Sequence, residues 1–316
     1  MFDLSAVLGV TGPVFFIMLL GYAAVKYGWV PANSTQAFSA FAVKFALPAL
    51  LFKSISEMKV SEFFDGRYLT GYAVGSLLAF GGLFAVCVFL RRKNLSHSAM
   101  FAMGGSFSNN LMIGYPIVIQ LFGAAAMTPL ALTLMVENFI MFPLALILAD
   151  IGRGDRSNPI AVFVASVAQV FKNPIILGIL FGVLCSYLGI ELLPEMKKVV
   201  DMFAVTVSGV ALFAIGGLLV GVNFMSVFRD ISFVMLTKLI VHPLMVALAF
   251  WWLIGLTNES ALIAIVLASM PMFGIYPVIA QRYDLGPTCA AALVPTTVLS
   301  FVTLNVVIGL VFSVSG

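Results

Sequence analysis

Two short polar motifs lie inside segments that are otherwise apolar enough to cross a membrane. The first motif runs from Ser108 to Gln120 and the second from Ser269 to Gln281. Both contain a serine, a Tyr-Pro pair and a glutamine at the same spacings, and each of these residues recurs 161 positions later (269 − 108). Interrupted hydrophobic segments at corresponding positions in the two halves of a chain indicate the binding site of a secondary transporter.

Both motifs are expected to break the helix that contains them. A proline removes a backbone hydrogen bond and clashes with the preceding turn, and non-helical backbone at membrane depth is tolerated only where protein or a wet cavity surrounds it. If the two segments cross, four half-helix ends meet near the midplane, and the positive ends of two of them suit a carboxylate. The residues predicted to form the interruptions and the substrate site are Ser108, Asn109, Asn110, Gly114 and Pro116 in the first motif and Ser269, Pro271, Gly274 and Pro277 in the second.

Two other interpretations of these residues stay open. Proline and glycine are frequent in membrane helices, where they produce kinks with no ligand nearby, and asparagine can join helices through hydrogen bonds. The pairing of the motifs at corresponding positions favours a binding site.

Four ionisable side chains lie inside apolar segments, where the cost of desolvation makes each of them a candidate for function. Lys44 and Lys238 could offset the charge of a bound anion, and Glu137 and His242 are candidates for coupling transport to an ion. Either lysine could instead pair with Glu137 or extend to the membrane interface. His242 could be a neutral, hydrogen-bonded side chain, and Glu137 could pair with a lysine, bind a cation or carry a proton.

The composition identifies an integral membrane protein. Of 316 residues, 62% are hydrophobic and only 9% are charged, whereas about a quarter of the residues of a soluble domain are charged. The apolar runs are about twenty residues long, the length at which a helix crosses a hydrocarbon core of about 30 Å. We therefore predict an all-α polytopic fold of ten transmembrane helices, at 5–26, 34–55, 68–90, 97–122, 128–149, 170–189, 199–220, 231–254, 259–282 and 288–313.

The displacement of 161 residues extends beyond the two motifs. It also relates Pro13 to Pro174, Gly21 to Gly182, Gly28 to Gly189 and Leu51-Phe52 to Leu212-Phe213. We predict one integral membrane unit made of a five-helix repeat at 1–155 and a second at 156–316. Because five is odd, the second repeat is inverted, and inverted repeats supply the two conformations of alternating access. With the N-terminus outside, nine basic residues lie inside and five outside, so the positive-inside rule places both termini outside.

Several classes of function are excluded by composition and motif content. A formal net charge of +3 is too small to indicate a nucleic-acid partner. The three cysteines are far apart and no His or Cys pair has metal-ligand spacing, so we expect no metal and no cofactor. No serine-hydrolase elbow or His-Glu-x-x-His motif is present, so we expect no enzyme. The expected partners are the lipid bilayer and a small organic anion; a homodimer stays open, as do coupling to Na⁺, coupling to H⁺ and uniport.

The chain resembles the auxin efflux carrier family of membrane permeases, and within it the bacterial branch that includes malonate carriers. The matching features are the segment Phe45–Phe52, Asn110 with Gly114-Tyr115-Pro116, Lys238 followed by Pro243, and Ala280-Gln281-Arg282-Tyr283. The resemblance implies a ten-span fold similar to sodium/proton antiporters and bile-acid symporters, with a scaffold domain and a transport domain that contains crossing spans 4 and 9. It also implies that organic anions are transported.

The resemblance extends to one of the two asparagines that family members carry at the crossing. Asn110 matches the first asparagine, but Pro271-Met272 stands where plant relatives have a Pro-Asn pair. The long cytosolic loop of the plant carriers is absent as well. The missing asparagine argues against an auxin-like binding mode, and the missing loop favours a compact permease of the prokaryotic type.

Together these features predict a secondary transporter in the cell membrane, inner or plasma. It would move a small organic anion, a mono- or dicarboxylate such as malonate, by alternating access. The alternative is a channel or a membrane receptor for an organic anion built on the same bundle. A channel requires a continuous polar pore, and no span carries a polar stripe repeated at helical spacing along its whole length.

Overall fold

The chain forms a bundle of helices in the computed structural model, which describes residues 4–57, 65–153, 171–221, 228–253 and 258–315 and positions 160, 164 and 168. These residues contain no strand. In chain order, their helices are α1 (Leu4–Lys26), α2 (Ser34–Ser56), α3 (Gly66–Leu90), α4 (Leu95–Ser106), α5 (110–122), α6 (127–152), α7 (Pro174–Leu188), α8 (Pro194–Leu218, with a turn at Thr206), α9 (228–253), α10 (Glu259–Ala268), α11 (Tyr276–Gln281) and α12 (Gly286–Ser315).

The length and apolar composition of the helices agree with a multi-pass membrane protein. Within the described residues, seven helical segments are long and apolar enough to cross a membrane. One of these segments, Leu95–Gly152, covers the predicted spans 4 and 5 together and includes the non-helical residues 107–109. The apolar helices α7 and α10 are shorter. The all-helical prediction is therefore confirmed for the described residues, while the number of ten spans stays a prediction.

The helices divide into two packed groups. Helices α1, α2, α7 and α8 pack mainly with one another, and the other eight form the second group. In the first group the α1–α8 contact brings Gly21 against the carbonyl of Phe213, and the α2–α7 contact brings Gly182 against the carbonyl of Phe52. At Gly21 a Cβ would collide with the Phe213 carbonyl, so glycine is required there; at Gly182 a Cβ would stand 3.1 Å from the Phe52 carbonyl oxygen, a tight approach that favours glycine.

These two glycine contacts are related by the displacement found in the sequence. Gly182 follows Gly21 by 161 positions, and Phe213 follows Phe52 by 161 positions (182 − 21, 213 − 52). Exchange of the two halves therefore converts one contact into the other, as expected for two related repeats. The predicted boundary between the repeats, at 155/156, lies outside the described residues, and the inverted relation stays a prediction.

Four helices contain a π-helical turn that ends two residues before a proline. The turns are Ala42–Ala46, Asn110–Gly114, Glu137–Met141 and Thr237–Val241, and the prolines are Pro48, Pro116, Pro143 and Pro243. A proline cannot donate to the carbonyl four residues earlier, and its ring crowds that carbonyl. Membrane helices accommodate the proline through such local π adjustments, which often occur at functional sites. Three of the four ionisable candidates, Lys44, Glu137 and Lys238, lie in these turns.

The two predicted spans that carry the polar motifs are both interrupted. Residues 107–109 separate α4 from α5, and residues 269–275 separate α10 from α11. The interruptions touch, because the Asn109 N–H donates to the Pro271 carbonyl over 2.7 Å. The rings of Phe107 and Phe273 lie 5.3 Å apart on the same contact. We call residues 107–109 the first break and residues 269–275 the second break.

The breaks are narrower than the motifs predicted. Asn110 and Gly114 lie in the π turn that opens α5, and Pro116 is the second residue of the α-helical segment Tyr115–Phe122. Pro277 is likewise the second residue of α11, whereas Pro271 and Gly274 lie within the second break. Proline is favoured in the first turn of a helix because the N–H that it lacks has no partner there. Pro277 therefore starts a helix, whereas Pro116 lies inside α5, just after its π turn, and neither proline ends a helix.

Candidate functional site

Asn109 stabilises the first break through hydrogen bonds and connects it to the second break. It caps α5: its side-chain oxygen accepts a hydrogen bond from the Met112 N–H at 3.3 Å. Its carbonyl accepts from the N–H groups of Ile113 and Gly114, at 3.2 and 2.9 Å. The Asn109 N–H donates to the Pro271 carbonyl. Most of the hydrogen-bonding groups of Asn109 therefore bind backbone atoms of the two breaks and of α5. Its side-chain nitrogen faces Gly274 of the second break.

The carboxylate of Glu137 occupies the positive end of α5. Its Oε1 accepts hydrogen bonds from the Asn110 amide at 2.9 Å, from the Ser108 N–H at 3.2 Å and from the Tyr72 hydroxyl at 3.2 Å. Two of these donors lie at the N-terminal end of α5, where the helix dipole favours negative charge. The sequence predicts a substrate carboxylate at this position, and in the structure the protein supplies a carboxylate of its own.

The ammonium of Lys238 lies on the other side of Ser108, fully buried. It donates to Ser108 Oγ at 2.7 Å, to the Ala268 carbonyl at 2.9 Å and to His242 Nδ1 at 2.7 Å. Ala268 is the last residue of α10, so the ammonium sits at the negative end of a helix that stops inside the protein. A lysine has three N–H donors, and here each of them has an acceptor.

His242 extends this network to α3. Because the Lys238 ammonium can only donate, His242 accepts at Nδ1 and carries its proton on Nε2. That nitrogen lies 3.0 Å from Ser76 Oγ, to which it donates. The imidazole is therefore a neutral, fully buried and hydrogen-bonded side chain.

These contacts define a buried group of six side chains that we call the crossing cluster: Tyr72, Ser108, Asn110, Glu137, Lys238 and His242. Ser108 is its centre, since its N–H holds Glu137 and its hydroxyl holds Lys238. The acid and the base make no direct ion pair and are bridged by this serine. The cluster contains one potential negative and one potential positive charge, each at the helix end of opposite sign.

One polar atom of the crossing cluster has no partner among the described residues. Asn110 Oδ1 is buried without a hydrogen bond, while the nitrogen of the same amide donates to Glu137. Leaving a buried acceptor unsatisfied costs about 1–3 kcal/mol. A group that brings a donor or a positive charge to this atom is therefore stabilised here.

The remaining predicted site residues lie outside the crossing cluster. Ser269 is buried, but its hydroxyl donates to the Ile265 carbonyl of its own helix at 2.7 Å. Lys44 is exposed on α2 and has no hydrogen bond or ion pair with the described residues. Gly114 faces the Asn110 amide oxygen, with 3.3 Å between that oxygen and the position a Cβ would take. Among the described residues, no three His, Cys, Asp or Glu side chains are placed to hold a metal ion.

Helix α3 contributes residues that the sequence analysis did not select. Tyr68, Tyr72 and Ser76 follow one another at intervals of four on one face of α3 and are all fully buried. Tyr72 contacts Glu137, Ser76 contacts His242, and Tyr68 shares a hydrogen bond of 2.7 Å with Thr133. This two-turn polar stripe is visible in the sequence, although it does not run the length of the span.

A separate cavity of about 540 Å³ opens where the ends of α2, α7 and α8 meet. Two ion pairs connect α2 and α8 there, Lys53 with Asp201 at 2.6 Å and Lys197 with Glu57 at 2.9 Å. No residue of the crossing cluster lines this cavity. It belongs to the first packed group, apart from the breaks.

Known proteins resemble the chain over most of its length. A family model described as a membrane transport protein matches residues 7–308. A Rhizobium meliloti (strain 1021) protein named "Putative malonate transporter" is 27% identical over 305 residues, 96% of this chain and 95% of that protein. The uncharacterized transporter YfdV of Escherichia coli (strain K12) is 23% identical over 294 residues, 92% of each chain. The lysosomal cholesterol signaling protein of Mus musculus is 26% identical over 246 residues, 73% of this chain but only 28% of the mouse protein.

Proposed function

The chain belongs to the membrane transport protein family of auxin efflux carriers, and from that premise we propose that it is a secondary transporter of a small organic anion. The substrate class is a mono- or dicarboxylate, with malonate as the first compound to test. That choice is supported by the name of the Rhizobium meliloti relative. Transport proceeds by alternating access in the cell membrane, with both termini outside.

The observation that carries this proposal is the contact between two broken helices around a buried acid and a buried base. Irregular backbone at membrane depth occurs where protein buries it or a cavity is lined by it, and transporters place their binding sites at such half-helix ends. The Ser108 N–H of the first break and the Asn110 amide at the start of α5 are donors that suit a carboxylate. The Lys238 ammonium donates a hydrogen bond to the Ser108 hydroxyl and supplies a compensating positive charge. Lys44 lies outside the cluster, so the proposal assigns charge compensation to Lys238.

Substrate entry requires that Glu137 release these donors, and protonation of Glu137 would achieve this. A protonated carboxyl attracts the Asn110 and Ser108 donors less strongly, which leaves them for the carboxylate of the substrate. The new O–H also supplies a donor next to the unpartnered Asn110 Oδ1. The proton bound by Glu137 would then travel with the anion, so the proposed coupling ion is H⁺.

Uptake into proteoliposomes tests the site. The Asn110→Ala variant should lose uptake of the transported carboxylate while keeping the folded helical spectrum. Asn138→Ala is the matched control, because the Asn138 amide donates to the Leu134 carbonyl of its own helix rather than to the cluster. Near-normal uptake by Asn110→Ala would remove the crossing cluster from the proposal.

An imposed proton gradient tests the coupling. The external pH is held constant so that the ionisation of the substrate does not change, and only the internal pH is raised. Wild-type uptake should accelerate with the inward proton gradient, whereas Glu137→Gln should transport slowly and at a rate independent of the gradient. An equal acceleration of both proteins would contradict the role of Glu137.

The runner-up function is a channel or a membrane receptor for an organic anion. The receptor is favoured by one observation, the similarity to part of a mouse protein whose name describes signaling. Ligand-dependent thermal stabilisation in the absence of any uptake would support a receptor. Electrical currents far above the turnover of a carrier would support a channel. A homodimer is also compatible with the proposed transporter, and the mass of the detergent-solubilised protein measures it.

A further inference from the structure

Two of the three atoms that accept from the Lys238 ammonium are oxygens of the kind that bind metal cations. They are the Ser108 hydroxyl in the first break and the carbonyl of Ala268, which ends α10 directly before the second break. The third acceptor is His242 Nδ1. The carboxylate of Glu137 accepts from the N–H of the same serine. Hard monovalent and divalent cations take hydroxyl, carbonyl and carboxylate oxygens as ligands. In transporters with broken helices, the half-helix C-terminal ends and unwound carbonyls coordinate the coupling Na⁺.

The ammonium also links three parts of the structure that a coupling cation would have to link. Its stem begins in the π turn of α9, and its tip reaches the first break at Ser108 and the end of α10 at Ala268, directly before the second break. Lys238 has no exposed surface, so bulk water does not hydrate its ammonium group. A charge in such a place is retained only when hydrogen bonds compensate for the lost hydration, and all three N–H donors are used.

We propose that Lys238 is a tethered cation that takes the place of a coupling metal ion between the two breaks. This inference rests on the proposed transport function and deepens it: anion transport requires no sodium because the positive charge is built into α9. The tethered ammonium cannot be released in each cycle, so it compensates charge and holds the breaks together without being consumed. A protein that lacks it should regain a requirement for a free cation.

Thermal unfolding of the full chain in detergent tests this inference. Wild type and Lys238→Ala are heated in sodium chloride, potassium chloride and choline chloride at equal ionic strength. The wild type should have the same Tm in all three salts. Lys238→Ala leaves the Ser108, Ala268 and His242 acceptors around an empty volume, so a metal salt should raise its Tm by a few degrees over choline. Methylammonium or ethylammonium chloride should act in the same direction, because either supplies the missing ammonium.

Lys238→Met is the matched control. It removes the same charge but fills the volume with an unbranched apolar chain, so no salt should raise its Tm over choline. Lys238→Gln provides a second neutral variant of similar length if Lys238→Ala does not fold. A variant that can be purified folded only in the presence of metal or alkylammonium salts counts for the inference.

Two results would overturn it. One is a sodium-specific rise in the Tm of the wild type, or sodium-dependent uptake by the wild type, since either shows that a free cation still binds. The other is a folded Lys238→Ala protein whose Tm is indifferent to metal and alkylammonium salts. The unfolding measurement needs no transported substrate. A wild type that transports no carboxylate therefore contradicts the proposed function alone, whereas a flat salt response of Lys238→Ala contradicts the tethered cation alone.

Discussion

The first and second breaks occupy matched positions in the two halves, yet they offer opposite chemistry. The first break and the start of α5 present donors, the Ser108 N–H and the Asn110 amide, to a carboxylate. The second break contains Met270, Pro271 and Met272, and its Pro271 carbonyl oxygen accepts from the Asn109 N–H. The first break therefore holds negative charge at a helix N-terminus, and the end of α10 that precedes the second holds positive charge.

The charged partners are asymmetric as well. In the register of the repeat, the counterpart of Glu137 is Val298 and the counterpart of Lys238 is Leu77 (137 + 161, 238 − 161). Each half thus supplies one charge, and neither charge has a duplicate in the other half. Two similar backbones with different side chains give a site with one anionic and one cationic pole. A symmetric site would place two like charges close together, which is costly at membrane depth.

The largest expected effect comes from removing one pole alone. Lys238→Met leaves the Glu137 carboxylate buried without its compensating charge, and a buried charge left uncompensated typically costs about 3–5 kcal/mol. We expect a marked fall in the Tm of the detergent-solubilised protein and no measurable uptake. The Tm of the variant and that of the wild type should be measured in the same salt, choline chloride, and compared.

Adding Glu137→Gln to Lys238→Met sharpens this prediction. The double variant has no uncompensated charge, so it should recover a large part of the lost stability without recovering uptake. The four proteins form a double-mutant cycle whose coupling term measures the interaction between the two poles. Additive losses would show that Ser108 insulates the acid from the base rather than connecting them.

The position of this charge pair was only partly predictable. The sequence predicts that spans 4 and 9 are interrupted, because amides and prolines are easily recognised in apolar runs. It also identifies Glu137, Lys238 and His242 as candidates, because ionisable side chains are rare there. The sequence does not show that Glu137 fills the place expected for a substrate carboxylate, since that depends on how α6 packs against α5. Lys44 illustrates the same limit. It is a charged residue inside an apolar segment, as expected of a site residue, but α2 packs with α7 and α8 and leaves Lys44 exposed.

The local structure of the breaks was harder to predict from the sequence than the presence of the breaks. The prolines Pro116 and Pro277 have the same sequence signature, although Pro116 follows a π turn inside α5 and Pro277 starts α11. The outcome depends on caps such as Asn109, whose side chain holds the Met112 N–H. Tyr72 and Ser76 could have been found by their spacing of four residues, but tyrosine and serine are common enough in membrane helices that only the contacts distinguish them.

The two serines of the repeat provide a matched test of intermediate size. Ser108 Oγ accepts from the buried Lys238 ammonium, so Ser108→Ala removes an acceptor from a charged group and should cost about 1–3 kcal/mol. Ser269 Oγ donates to the Ile265 carbonyl, which also keeps the bond from the Ser269 N–H, so Ser269→Ala should cost only about 0.5 kcal/mol, the low end for a neutral hydrogen bond. Urea or thermal unfolding in detergent measures both. Equal losses would mean that the halves are functionally symmetric at this position.

The smallest effect distinguishes the glycines of the two motifs. At Gly114 a Cβ would stand 3.3 Å from the Asn110 amide oxygen and from side-chain carbons of Leu267 and Met270. Gly114→Ala should therefore crowd the crossing cluster, cost about 1 kcal/mol and slow uptake by displacing the amide. At Gly274 the nearest atom would be the Asn109 side-chain nitrogen at 4.0 Å, which is ordinary contact. Gly274→Ala should leave stability and the uptake rate unchanged, and a loss of uptake confined to this variant would indicate that the substrate contacts the second break directly.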